Sequence, residues 1–248
     1  MQQRRWSLFW TFFAALILPL ANSAISASLA QCCGGPDTLC LWCQGEDSGD
    51  SGGSKWDDPL QSDRPGFGDC PTTVGCGICQ LEMGYQYTYD RDDNSSHINH
   101  SSPQSLLRVG TLANWFELRV GWSMEQETDH VFGVSSQTAV GSDDMNVGCK
   151  IALTPQDGCL PQTAIVADMF LPTGSSAFTA GEVLPEIEFI YSWALNKKLS
   201  VIGVTFLSDA VDDETNHTYL EFSEGVETDL AISDKFGAYT DWHVSSPV

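Results

Sequence analysis

Three cationic side chains, Arg108, Arg119 and Lys150, sit in stretches of the chain where apolar and polar residues alternate one by one. Each falls on the polar side of its stretch, the side that also carries Glu117, Asp168, Glu186, Glu188 and Glu221. An unpaired charge in a narrow interior is costly, so these groups are expected to pair into a network that shapes or plugs a pore. A purely structural network fits the same pattern. Glu82, Gln86, Asp90 and Asp241 hold equivalent polar positions in the first and last alternating stretches and complete the set of candidate lining residues.

Other chemistry is poorly represented. There is no G-x-S-x-G, H-E-x-x-H, Walker-type or dinucleotide glycine pattern, and each of those reactions needs its residues at that spacing. Ser175 and Ser176 follow L-P-T-G and suit a turn better than a nucleophile. Asp92, Asp93, His97 and His100 form one group of ligand-type side chains, and Asp212, Asp213, Glu214 and His217 another. A solvated polar loop accounts for both, so no metal, cofactor or catalytic residue is expected and the chain is not read as an enzyme. Asn94, Asn99 and Asn216 lie in N-x-S/T triplets, which matter only in a host that glycosylates secreted proteins.

Net charge narrows the partners. With 11 basic and 33 acidic residues the formal charge is −22, and binding phosphates would need clustered Lys and Arg, so nucleic acid is excluded as a partner. Arg4 and Arg5 precede an apolar run from Trp6 to Ala21 and then small residues. This is the layout of a secretory signal over 1–30, with Ala30 before Gln31 as the cleavage point; the run is short for a helical anchor. Seven of the nine cysteines fall between Cys32 and Cys79, including the C-x-x-C pairs Cys40/Cys43 and Cys76/Cys79. In an oxidising compartment that spacing favours disulfides, whereas a cytosolic protein would suggest a zinc ribbon. The odd count leaves one thiol unpaired within the chain.

The texture then divides the chain. Residues 31–80 form a Cys-, Gly- and Asp-rich leader, of which 31–69, rich in Gly, Asp and Ser with no sustained period, is expected to be flexible. From Leu81 to the end, period-2 segments recur at 81–90, 105–113, 116–124, 145–154, 163–171, 186–195, 199–208, 217–230 and 235–244. Nine strands of about nine or ten residues follow from that alternation. Their connections alternate between short turns and long polar loops, RDDNSSHINHSSPQ and EQETDHVFGVSSQTAVGSDD among the long ones. This sorting is that of an antiparallel up-and-down transmembrane β-barrel, an all-β fold in 81–248, and strands of about 9–11 residues suffice to cross a bilayer.

The faces can be assigned as well. Phe116, Leu118, Val120 and Trp122 share one face, as do Ile165, Ala167, Met169 and Leu171, and Ile187, Phe189, Tyr191, Trp193 and Leu195. These are expected to meet lipid, while Glu117, Arg119, Val166, Asp168, Glu186 and Glu188 turn inward. Tyr85, Tyr87, Tyr89, Trp115, Trp122, Trp193 and Trp242 are candidates for interfacial girdles. The competing reading places the same aromatics in the core of a soluble, secreted, ligand-binding β-sandwich.

The stretch SDRPGFGDCPTTVGCGICQLEMGYQYTYDRD, followed by LLRVGTLANWFELRVGW, resembles the opening of a bacterial outer-membrane transporter family described as a meta-pathway phenol-degradation component. GSDDMNVGCKIAL and MFLPTGSSAF are similar to later motifs of that family, a G-x-D leading into a strand and an L-P-T-G ending one. The resemblance runs from about Ser62 to the end. It implies a porin-like barrel of the outer membrane for passage or binding of small compounds, aromatic or apolar ones among them, with membrane lipid and a small solute as partners. Cys70, Cys76 and Cys79 depart from the family pattern. Nine strands are also an odd count for a barrel, and an incomplete C-terminal end lacking at least one closing strand is expected.

Overall fold

Alternation of side chains across a pleated backbone lets one face of a strand be apolar and the other polar, and most of the described strands from Cys79 onward follow that pattern. A computed structural model describes residues 62, 63, 67–212, 215, 217–233 and 236–248. The signal region 1–30, most of the leader with Cys32, Cys33, Cys40 and Cys43, and Asp213, Glu214 and Asn216 lie outside the described residues.

Ten strands occur in order: β1 (Cys79–Arg91), β2 (Ser95–Gly110), β3 (Phe116–Val131), β4 (Ser135–Ser142), β5 (Met145–Thr154), β6 (Gln162–Leu171), β7 (Leu184–Ala194), β8 (Leu199–Val211), β9 (Thr218–Ser233) and β10 (Phe236–Pro247). They form one antiparallel sheet in the order β1-β2-β3-β5-β6-β7-β8-β9-β10, with β4 beside the far half of β3. The sheet curls into an open half-barrel in which β1 and β10 are the two edges. Among the described residues no helix is long and apolar enough to cross a membrane.

The up-and-down topology agrees with the sequence reading, but two of the expected long loops do not exist as loops. RDDNSSHINHSSPQ is mostly β2, and EQETDHVFGVSSQTAVGSDD supplies the end of β3 and all of β4. Both β2 and β3 run for 16 residues, roughly 53 Å at about 3.3 Å per residue. The period-2 signal fades in those halves because both faces are polar there, yet the backbone goes on pairing. Asp92 closes the first hairpin by accepting the N–H groups of Asn94 and Ser95 at 2.7 and 2.6 Å. Gly133, at φ 77°, turns the second in a conformation other residues adopt with strain.

β3 changes partner along its length. Phe116 to Gly121 pair with β5, and Met124 to Val131 pair with β4. The break between β4 and β5 is held by Asp144, whose carboxylate accepts the N–H of Gly174 at 2.8 Å and of Ala180 at 2.9 Å. Thr173 accepts the Met145 N–H at 3.0 Å, and Ser142 accepts that of Ser175 at 2.9 Å. The G-x-D and L-P-T-G segments, 30 residues apart in sequence, therefore lock each other.

Replacing Asp144 by Ala strips two loop N–H groups of their acceptor. The expected loss is about 2–3 kcal/mol of unfolding free energy, measured by urea titration of the detergent-solubilised protein. Asp143→Ala is the control, since the hydrogen bond found for its carboxylate is to the neighbouring Asp144 N–H, and its effect is expected within about 0.5 kcal/mol.

Candidate functional site

Register decides which polar residues meet. Gln80, Arg108, Arg119, Gly148, Asp168, Glu186, Ser208 and Glu221 are successive cross-strand partners from β1 to β9 and form one row across the concave face. The next row toward the short-turn rim runs Gly110, Glu117, Lys150, Val166, Glu188, Phe206 and Ser223. A third carries Ala152, Ala164, Ile190, Val204, Gly225 and His243 and is mainly apolar. The concave face is thus charged along two adjacent rows and greasy below them.

Exposure is inverted relative to a water-soluble protein. Arg108, Glu117 and Lys150 are 0% exposed, whereas Met83 is 63% and Ile187 53% exposed on the convex face. Leu81, Tyr85, Tyr87, Tyr89, Leu118, Val120, Trp122, Phe189 and Trp242 are exposed there too.

What buries the cations is the end of the leader. The expected flexible stretch ends at residue 69, yet the described part of 62–78 is threaded against the concave face. Asp63 lies at its focus. Its Oδ2 stands 2.7 Å from Lys150 Nζ, 2.7 Å from Arg119 Nη1 and 3.3 Å from Arg108 Nε. Its Oδ1 accepts from Lys150 at 2.8 Å and from the Cys70 N–H at 3.2 Å, with the Cys70 thiol at 2.9 Å. Asp69 meets Arg119 Nη2 at 2.6 Å and donates its backbone N–H to Glu188 at 3.0 Å.

Backbone contacts finish the seat. Arg108 donates to Thr72 O at 2.8 Å, Lys150 to Cys70 O at 2.9 Å, and Glu117 accepts the Val74 N–H at 2.8 Å. Gly110 accepts from the Gly77 N–H and donates to Ile78 O. A side chain at Gly110 would strike the backbone of Gly75, so only glycine lets the segment lie that close. Further along, Phe67 stacks on His243 at 4.1 Å and meets Phe206 edge-on at 5.2 Å, over the buried cluster of Ala164, Val166, Ile190 and Val204.

Charge explains why Asp63 stays ionised. Burial alone would raise its carboxyl, but Lys150, Arg119 and Arg108 outweigh that and hold it at about 2 against the ordinary 3.8. Burial, followed by the nearby Asp63 carboxylate, pushes the Cys70 thiol up to about 11, so it remains a protonated donor to Asp63.

The expected lining residues divide into three groups. Glu82, Arg108, Glu117, Arg119 and Lys150 come together, with Arg108 bonded to Glu117 at 2.9 Å and to Glu82 at 3.0 Å. Glu188 joins through Asp69, and Asp168, Glu186 and Glu221 continue the first row on the facing wall. Gln86 and Asp90 instead stand exposed in the hairpin, Gln86 paired with Gln104, and Asp241 lies opposite Glu227 in a separate acidic row. The principal counter-ions of Arg119 and Lys150 are Asp63 and Asp69, which alternation cannot reveal because they precede the first strand. The S-D-R-P motif was the signal that Asp63 carries.

The other ligand-type clusters fall apart. His97 pairs with Asp129 at 2.7 Å, and His100 with the Tyr85 hydroxyl at 2.7 Å on the opposite face of β2. Among the described residues no group of three or more His, Cys, Asp and Glu converges as a metal site. Cys76 is disulfide-bonded, and Cys70, Cys79, Cys149 and Cys159 are in the thiol form, so Cys76 and Cys79 do not bridge each other.

Comparison with known proteins gives one family: its model, described as "Putative MetA-pathway of phenol degradation", matches residues 62–244. The match opens at Ser62, so it takes in the threaded segment together with the strands. No curated protein matches the chain.

Removing one member of a buried ionic group leaves the others uncompensated, so Lys150→Met is expected to cost about 3–5 kcal/mol. Adding Asp63→Asn to it should cost much less than the sum of the single changes in a urea-unfolding cycle. Asp63 also gives a pH signature. Its folded value is the lower one, so its contribution of about 2 kcal/mol is complete above pH 3.8 and is lost as the pH falls toward 2.

Proposed function

Because the chain belongs to this MetA-pathway phenol-degradation family, we propose that it is an outer-membrane β-barrel protein through whose interior small solutes pass. It acts without catalysis. The observation that carries the reading is the inversion: three ionised side chains with no exposure on the concave face, and a mainly apolar, ring-bearing convex face in which Glu224 is held by the Tyr191 and Thr205 hydroxyls. In water that convex face would be an aggregation surface; against acyl chains it is a solvent-matched wall. Antiparallel pairing satisfies the backbone of the strands between the two edges, β1 and β10.

The lining sets what passes. Beyond the cations held by Asp63 and Asp69, the concave face bears Asp168, Glu186, Glu221, Glu227, Asp229 and Asp241. Free anions are therefore disfavoured, and neutral solutes and cations are favoured. The apolar row of Ala164, Ile190 and Val204 is covered by Phe67 and seats the threaded segment, so small aromatic or apolar compounds meet that row only where the segment gives way. The threaded segment stands in that path and narrows it.

A two-sheet secreted sandwich is the alternative, and it would need a second sheet over the apolar face. The described strands form a single sheet.

Carbonate extraction of host membranes is expected to leave the protein in the pellet, and unboiled detergent samples should migrate faster than boiled ones in electrophoresis. In planar bilayers the purified chain should conduct cations in preference to chloride. Release by carbonate, or a chloride preference, would overturn the reading.

A further inference from the structure

The seat of Asp63 has the chemistry of a receptor for a free carboxylate. Both oxygens are bound, by Lys150, Arg119, Arg108 and the Cys70 N–H, in a site where every cation is at least nine-tenths buried. Arg119 Nε is buried there with no acceptor among the described residues, so the cradle retains one spare donor. The occupant is peculiar in one respect. Asp63 belongs to no strand, and its carboxylate is held mainly by side chains of β2, β3 and β5.

Charge shows what must follow if that occupant leaves. Asp63, Asp69, Glu82 and Glu117 against Arg108, Arg119 and Lys150 give four negative and three positive charges, a local sum of −1. Without Asp63 and Asp69, two negative charges face three positive ones, a sum of +1. Bare, desolvated cations of that kind are costly, so withdrawal of the segment is unfavourable unless another anion takes its place. A solute carboxylate entering as Asp63 departs exchanges charge one for one and leaves that penalty unmet only for Asp69.

We propose that Arg108, Arg119 and Lys150 form a binding site for small organic carboxylates, and that Asp63 is a built-in occupant which such a solute displaces, unseating the segment. The proposal rests on the reading of the concave face as the solute path and goes beyond it: the acidic lining selects against anions in transit, whereas the cradle holds one at a fixed seat. The acidic wall around the cradle slows approach of the anion, so binding is weak and works at millimolar solute. Cys70 reports the exchange, because its half-buried thiol is a hydrogen-bond partner of Asp63 while seated.

The test uses the full chain in detergent, with acetate and benzoate as probes and acetamide, benzamide and chloride as controls at equal ionic strength. Labelling of Cys70 by a small thiol reagent, read by peptide mass spectrometry, is expected to quicken about fivefold or more in the carboxylates and not in the controls. Asp63→Ala empties the cradle, and either carboxylate at about ten times its Kd should then raise the melting temperature by about 3–5 °C. Adding Lys150→Met to that variant should abolish the rise. Equal labelling in benzoate and benzamide, or an Asp63→Ala protein that no carboxylate stabilises, overturns the proposal. These readouts need no membrane, so they fail independently of bilayer conductance: a protein that binds acetate but conducts nothing sinks only the pore.

Discussion

One desolvated carboxylate organises this molecule. Asp63 sits among three cations to which the sheet itself supplies only two directly paired carboxylates, Glu82 and Glu117, with Asp168 farther along the row. Burial of such cations without a counter-ion costs several kcal/mol each, so the concave face is complete only when the segment before β1 lies on it. The consequence reaches back into the sheet. Arg108 and Arg119 are direct cross-strand partners, a like-charge pairing that would weaken β2 against β3. A carboxylate placed between them converts that repulsion into a bridge.

The rest of the interior is arranged to admit the segment. Gly110 lets its backbone come within hydrogen-bonding distance, and Gly225 leaves the space that the Phe67 ring fills. The charged rows and the apolar row then receive different parts of it: Asp63 and Asp69 on the first, Phe67 on the second. A flat polar wall would hold such a strand by hydrogen bonds in many registers. Combining a charge focus with an aromatic seat leaves one.

How much of this the sequence shows depends on which periodicity a residue belongs to. The strands with one apolar face could be read directly, and 145–154 coincides with β5 residue for residue. The far halves of β2 and β3 could not, because strands wet on both sides lose the contrast that marks them while the backbone goes on pairing on either side of the bulge at Ser102-Pro103. Inward placement of Arg108, Glu117, Arg119, Lys150 and Glu188 was legible from parity alone. Their grouping needed the register between strands, which parity does not encode. Gln86 and Asp90 have inward parity but lie beyond the seat of the segment, where the hairpin stands in solvent. Asp63 and Asp69 were invisible to any pattern argument, since a chain that follows a groove has no period of its own. The S-D-R-P, G-x-D and L-P-T-G motifs stood out as short ordered strings. The structure gives two of them a shared purpose in the Asp144 lock and the first a counter-ion.

An ionic seat also differs from a greasy one in what it permits. Well-packed hydrophobic residues in place of Arg108, Glu117 and Lys150 would fill the same volume and could be more stable, as replacing buried ion groups often is. They would also seal the concave face, since an apolar plug released into a hydrated path has nothing to exchange with. Charged groups can hand a carboxylate to an incoming one, or to water, by small steps in which each donor changes acceptor. The retention of three cations in the interior of a chain that has only 11 basic residues against 33 acidic ones therefore makes physical sense as reversible seating. Stability alone would have been served by leucine.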